Sequence, residues 1–245
     1  MKIRILSFKK VNFFEADYNY IIRLLTKKGG FLVMPAASSL VKINSHSQYK
    51  RALQQSTAAL FDSGFFCIIL LTIKFIFFKK FSGYKFISFF LDDKNLKCKT
   101  ILCLDPSIKS ANINNLFLRS KKFKFIKNYI CPKYSINNIR DKELLNIINK
   151  YKPQIILSNI GGGVQEILAS YINKNIYYKP MIICSGAALS FFTGEQANIT
   201  YLVDKYYLGW LKRLFFNPKI YYKRILSSVP LIYMVIQTKI NISYK

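Results

Sequence analysis

The sequence predicts an α/β fold, a parallel sheet with helices on both of its faces. Three observations carry this expectation. After Lys79, short apolar runs alternate with stretches of helical periodicity, and such alternation packs as βαβ units. Gly161-Gly162-Gly163 stands where one apolar run passes into a helix. Hydrophobic residues make up 51% of the 245 residues, enough for one large core or a core with an appendage.

Taken in order, residues 1–30 form a polar, basic and aromatic lead-in that ends at Gly29-Gly30. Phe31-Leu32-Val33-Met34-Pro35 is a short strand. Leu40, Tyr49, Leu53 and Leu60 recur with helical spacing through 36–60. Phe61 to Leu71 has strand-like composition with a turn at Asp62-Ser63-Gly64, and the run from Phe65 to Phe78 reads as buried strand and packed helix. Strands follow at 100–104, 123–127, 154–157 and 181–184, with helices at 113–122, 141–150 and 164–172. Ligands of such sheets sit at the carboxyl ends of the strands. From Asp204 the character changes: Tyr206, Tyr207, Trp210, Phe215 and Phe216 are interleaved with Lys205, Lys212, Arg213, Lys219, Lys223 and Arg224. That composition reads as a membrane-surface helix or as a terminal helix packed on the core. The division is therefore a core over 1–203 and a basic, aromatic, helical appendage over 204–245.

Lys and Arg outnumber Asp and Glu by 38 to 11, a formal charge of +27. Such an excess attracts nucleic acid, anionic headgroups or diphosphates. The chain is also rich in Lys, Ile, Asn, Phe and Tyr and sparse in Arg, as AT-rich codon usage produces, so the charge alone selects no partner. Zinc-finger, RNP and helix-turn-helix signatures are absent, which argues against nucleic acid. The five cysteines form no CxxC pair and their odd number points to a reducing compartment; Cys67, Cys103 and Cys184 sit in apolar runs as buried thiols. A single histidine, His46, excludes a multi-histidine metal centre. Met1 to Lys10 has no apolar h-region, and no apolar run reaches the roughly 18–20 residues that span a bilayer. The expectation is a protein that lies on a membrane without crossing it, with exposed aromatics favouring self-association.

The chemistry begins at the glycine turn. Its N–H groups and the helix N-terminus behind it suit a diphosphate, although three glycines alone equally make a tight strand-to-helix turn. Gln165-Glu166 follows at once. Then come Ser185-Gly186-Ala187-Ala188, Gly194-Glu195-Gln196, and Leu208-Gly209-Trp210-Leu211-Lys212-Arg213-Leu214, trailed by Asn217-Pro218 and Lys223-Arg224. In the N-terminal half stand Val33-Met34-Pro35, Phe61-Asp62-Ser63-Gly64 and Phe81-Ser82-Gly83. In this order, over residues 30–228, the chain resembles the WecG/TagA/CpsF glycosyltransferase family.

The resemblance implies a Rossmann-like domain whose C-terminal helical appendage docks on the membrane and closes the active site. It implies inverting transfer of an N-acetylmannosamine-type or glucose-type sugar from a UDP donor, without cofactor or metal. The acceptor is a sugar on undecaprenyl diphosphate, at the cytoplasmic face of the bacterial inner membrane. Read alone, Asp62 is a turn or cap residue; matched to the family it is the general base for the acceptor hydroxyl. Gly161, Gly162, Gly163, Gln165, Glu166, Ser185, Gly186, Glu195 and Gln196 fall on the donor site, where Gln165-Glu166 could equally be a helix N-terminus with well-placed acid. Lys80 (or Lys79) takes the place of a family arginine and, with Arg213 and Arg224, would hold the lipid diphosphate; a solvated basic face is the alternative. Lysine keeps the charge and loses the bidentate fork. Met34 and Ala36 replace a usual Thr and Asn, Gly163 a usual Pro, Gly209 a usual Glu and Ile225 a usual Tyr. These departures leave open a degraded, non-catalytic relative that binds nucleotide sugar or membrane.

Overall fold

The structure, a computed structural model, describes residues 3–195, 214–215 and 217–245. Within them nine strands form one sheet in the order β6-β5-β7-β8-β3-β4-β2-β1-β9. Its parallel part comprises β3 (Gly30–Val33), β4 (Ala58–Ala59), β5 (Thr100–Asp105), β6 (Phe125–Ile130), β7 (Ile155–Ser158) and β8 (Met181–Cys184). The α/β expectation with a mostly parallel sheet is met.

Strict alternation along the central strands makes two cores. Phe31, Val33, Leu102, Leu104, Ile156, Ile182 and Cys184 point to one face; Leu32, Ile101, Cys103, Ile155, Leu157, Met181 and Ile183 point to the other. Both faces are apolar because both are covered. The first face carries α2 (Ala37–Val41), α3 (Ser47–Gln55), α4 (Gly64–Lys74), α7 (Lys142–Tyr151) and α8 (Val164–Asn175). The second carries α1 (Tyr18–Lys28), α5 (Gly83–Asp92) and α6 (Ile108–Ser120).

The lead-in is more ordered than its composition suggests. β1 (Arg4–Phe8) and β2 (Val11–Glu15) make an antiparallel hairpin whose two-residue turn puts Lys9 and Lys10 at φ 51° and 65°, the left-handed pair that matches strand twist. β2 joins the parallel part through Phe13 opposite Ala59.

The strand-like reading of Phe61–Leu71 is corrected: Gly64–Lys74 is helix α4. A continuous apolar run has no period with which to choose. Local chemistry decides, because the Ser63 hydroxyl accepts the Phe66 N–H at 3.1 Å and caps the helix.

The C-terminal region is not helical throughout. A short helix α9 (Ser190–Thr193) closes the segment after β8, and α10 (Pro218–Leu226) and α11 (Pro230–Gln237) follow later. α11 buries Leu231, Met234 and Val235 against α4 and α2. The chain then ends in strand β9 (Asn241–Tyr244), paired antiparallel with β1. The boundary at 203/204, Trp210, Arg213 and Gln196 lie outside the described residues.

Two reversals of strand order position the site. The chain steps from β5 to β6 in one direction and to β7 and β8 in the other; likewise β4 flanks one side of β3 and β8 the other. Crevices at such points, beyond the carboxyl ends of the strands, are where α/β sheets take ligands.

Candidate active site at the carboxyl ends of the strands

Asp62 lies just past β4. The Leu60 N–H donates to the Val33 carbonyl at 3.0 Å, and Phe81 N–H donates to the Phe61 carbonyl at 3.0 Å. The peptide is thus clamped on both sides of the aspartate. Asp62 Oδ1 accepts the Gly83 N–H at 2.8 Å, in the first turn of α5, whose cap Ser82 accepts the Lys85 N–H at 3.1 Å. A helix N-terminus favours negative charge beside it. A Cβ added at Gly83 would stand 3.6 Å from Asp62 Oδ1, from Met34 Sδ and from Ala188 Cβ. The ends of β3 and β4 and the loop after β8 therefore converge around Gly83, where the half-buried Asp62 carboxylate lies. Cys67, one turn into α4, feels both Lys80 and Asp62; burial pushes its thiol up to about 12, while the Lys80 charge opposes and Asp62 adds to the shift.

The glycine turn occupies the space between β7 and α8. Gly161 and Gly162 are exposed. Gly163 adopts φ +96°, outside what a side chain tolerates easily. Its N–H donates to Glu166 Oε2 at 2.6 Å. Gln165 Oε1 accepts the Gly186 N–H at 2.9 Å, and Gln165 Nε2 donates to Glu166 Oε1 at 3.3 Å. Gln165 and Glu166 are 3% and 1% exposed. Their polar atoms therefore address two backbone loops, fixing the glycine turn and the 185–188 turn relative to each other. Burial raises the Glu166 carboxyl above its ordinary value, opposed by its backbone hydrogen bonds, the Gln165 amide and the Lys42 charge. Ser185 Oγ donates to the Ser158 carbonyl at 3.0 Å.

Sequence reasoning missed several residues here. Cβ atoms at Gly162 and Gly163 would lie 3.1 Å from Ser39 Oγ and 3.3 Å from Lys42 Nζ, so α2 and the turn after it face the glycines and bring a cation. At the end of β5, Asp105 is fully buried. Its carboxylate accepts amide N–H groups from Asn114 at 2.7 Å, Asn128 at 2.8 Å and Asn159 at 2.8 Å. Asn159 in turn contacts Ser185 Oγ at 3.4 Å through its Oδ1. The Asp-Pro pair and the surplus of asparagine were visible in the sequence, but nothing in the spacing of 105, 114, 128 and 159 says they meet.

Hydrogen bonds and contacts thus run from Asp62 through Gly83 and the 185–188 turn to Gln165, Glu166 and the glycine turn, and through Asn159 to Asp105. Glu195 stands at the far side, accepting from Ser110 Oγ at 3.2 Å near the N-terminus of α6. Arg224, exposed in the last turn of α10, is placed on the C-terminal segment; its carbonyl accepts the hydroxyls of Ser227 and Ser228. A separate cavity of about 460 Å³, lined by Arg23, Lys27, Asp93 and Lys99 among others, lies by the amino ends of β3 and β5. It shares no residue with this network.

The sequence pattern of the Glycosyl transferase WecG/TagA/CpsF family matches residues 2–244, essentially the whole chain. The chain belongs to this family of glycosyltransferases. No curated protein matches it. As a WecG/TagA/CpsF glycosyltransferase it is expected to act on an activated sugar and an acceptor. The carboxyl-end network, with a carboxylate at one end and exposed glycine amides and Lys42 nearer the middle, is the part of the molecule with groups suited to both.

Proposed function

We propose that the chain transfers a hexosyl-type sugar from a UDP donor to a sugar carried on undecaprenyl diphosphate, in surface-polysaccharide assembly at the cytoplasmic face of the membrane. The observation that carries this reading is Asp62: a half-buried carboxylate at the sheet's carboxyl end, oriented by the Gly83 N–H and set beside two other converging loops. In the reaction Asp62 takes the proton of the acceptor hydroxyl as that oxygen attacks the anomeric carbon. The bond from that carbon to the diphosphate oxygen breaks, its electron pair leaving with UDP, and attack from the opposite face inverts the centre. Gly161 and Gly162 N–H groups and the Lys42 ammonium supply donors and charge for the departing diphosphate, so the reading needs no metal ion. Gln165, Glu166, Ser185 and Gly186 hold these loops in register. Lys80 and the C-terminal basic residues, Arg213 and Arg224, hold the acceptor's diphosphate.

The decisive measurement follows UDP release while UDP-sugars are offered with a short-chain GlcNAc-diphosphate-lipid. Asp62→Asn, which keeps an acceptor for Gly83, should cut turnover about 100-fold or more and leave UDP binding intact. One observation favours a second reading, a nucleotide-sugar-binding relative that has lost catalysis. Buried Met34 brings a thioether to Gly83, the residue that Asp62 also reaches, where the family carries a hydroxyl. In that case UDP binds, no donor turns over, and Asp62→Asn changes nothing.

A further inference from the structure

Helix α4 buries Phe66, Cys67, Ile69 and Leu70 in the core. Its other side is apolar as well: Ile68, Leu71 and Phe75 are 45%, 47% and 88% exposed. The spacing 68, 71, 75 places them along one face. Phe75 ends the helix in a left-handed conformation, φ 54°, and Phe77 just beyond is 58% exposed. α11 packs alongside and repeats the design, burying Leu231, Met234 and Val235 while Tyr233 and Ile236 are 63% and 52% exposed. The two helices are joined at this surface, where Lys74 Nζ donates to the Ile236 carbonyl at 2.9 Å.

We propose that this surface, the α4 face with the Phe75–Phe77 turn and the adjoining side of α11, inserts into the interfacial layer of an anionic phospholipid bilayer. Charge selects that occupant. The sequence from Ser63 to Leu91 and from Lys205 to Lys245 contains no Asp or Glu, while Lys74, Lys79 and Lys239 flank the exposed apolar side chains. Glu15, which reaches the Lys79 N–H at 2.8 Å, is paired with Arg4 at 3.1 Å. An apolar centre with a cationic rim fits acyl chains beneath anionic headgroups. A second copy would bring another chain of formal charge +27 against the same rim.

The location fits the task. α4 leaves the sheet two residues after Asp62, and the chain comes back where Phe81 N–H meets the Phe61 carbonyl. Residues 63–80 are therefore a finger with both feet at Asp62. A bilayer gripping the finger holds the carboxylate near the headgroup layer, where a diphosphate-linked acceptor presents its sugar. The purpose given to the surface rests on the proposed function; its affinity for lipid does not.

The test uses the full chain and vesicles of phosphatidylcholine containing about a third phosphatidylglycerol. Wild type should sediment with them and far less with phosphatidylcholine alone. Phe75→Ser with Phe77→Ser should weaken partition about tenfold or more, leaving the melting temperature and turnover on a water-soluble short-chain acceptor unchanged. Should the double variant melt early, Phe75→Trp decides: its emission, compared with wild type, should shift to the blue on anionic vesicles alone. Wild type that ignores anionic vesicles overturns the proposal. So does a folded double variant that binds like wild type, a Trp at 75 that shows no shift, or a wild-type dimer that the serines dissociate. Failure of every UDP-sugar to react would sink the transferase reading and leave the vesicle result standing.

Discussion

At the scale of single residues, the site is built on carboxylates put to different uses. Asp62 is half-buried with one hydrogen bond from a helix N-terminus, whereas Asp105 is fully buried and shared among three asparagine amides. The first stays partly open to solvent; the second ties β5, α6, β6 and the loop after β7 together. Glu166 is a third case. Burial raises its carboxyl above the ordinary 4.5, so the folded state holds the proton more tightly than the unfolded chain does. Its stabilising contribution is complete below that ordinary value and is lost as pH rises through the folded-state value. Glu166→Gln cannot ionise and keeps an oxygen for the Gly163 N–H. Thermal melts between about pH 4 and about pH 8 should therefore show the stability difference moving in favour of the glutamine variant as pH rises; a constant difference would contradict the assignment.

At the scale of elements, strand-to-helix turns set where backbone N–H groups point. The turn between β7 and α8 needs φ +96° at Gly163 and leaves a Cβ there only 3.3 Å from Lys42 Nζ. Gly163→Ala should cost about 1–3 kcal/mol, read as a lower melting temperature and a weakened UDP affinity. Gly161→Ala is the control: a Cβ at that position meets nothing within 4 Å, so its melting temperature should stay at the wild-type value. α4 shows what capping decides. Its sequence is apolar almost throughout, and the Ser63 hydroxyl on the Phe66 N–H starts the helix.

At the scale of the molecule, the two ends of the chain meet. β9 pairs with β1, and Ile3 and Lys245 exchange backbone hydrogen bonds at 2.9 Å, so the last residues extend the sheet begun by the first. Thiol accessibility reads the integrity of the whole. Cys98 is exposed, whereas Cys67, Cys103, Cys131 and Cys184 are buried. Burial pushes the Cys67 and Cys131 thiols up to about 12, and those of Cys103 and Cys184 also upward. A disulfide reagent at about pH 8 should consume one thiol quickly in the native protein and all five after denaturation. More than one fast thiol without denaturant would mean that one of these core walls opens readily.

Alternation of apolar runs with helical stretches was enough to show a parallel α/β sheet, and β5, β7 and β8 fall within a residue or two of where the pattern puts them. The motif order around Gly161, Gln165, Ser185 and Asp62 was enough to indicate the glycosyltransferase family that the whole chain matches. Contacts between distant segments were not legible, because period and propensity act over a few residues while the site joins positions 34, 62, 83 and 188. Gln165 and Glu166 illustrate the difference: their dipeptide belongs to the motif order, but only the packed structure shows that both are buried and address backbone N–H groups. Likewise the apolar run 65–78 could not say which half of its side chains would face the core. Burial is a property of the neighbours a side chain meets after folding, and those neighbours come from elsewhere in the chain.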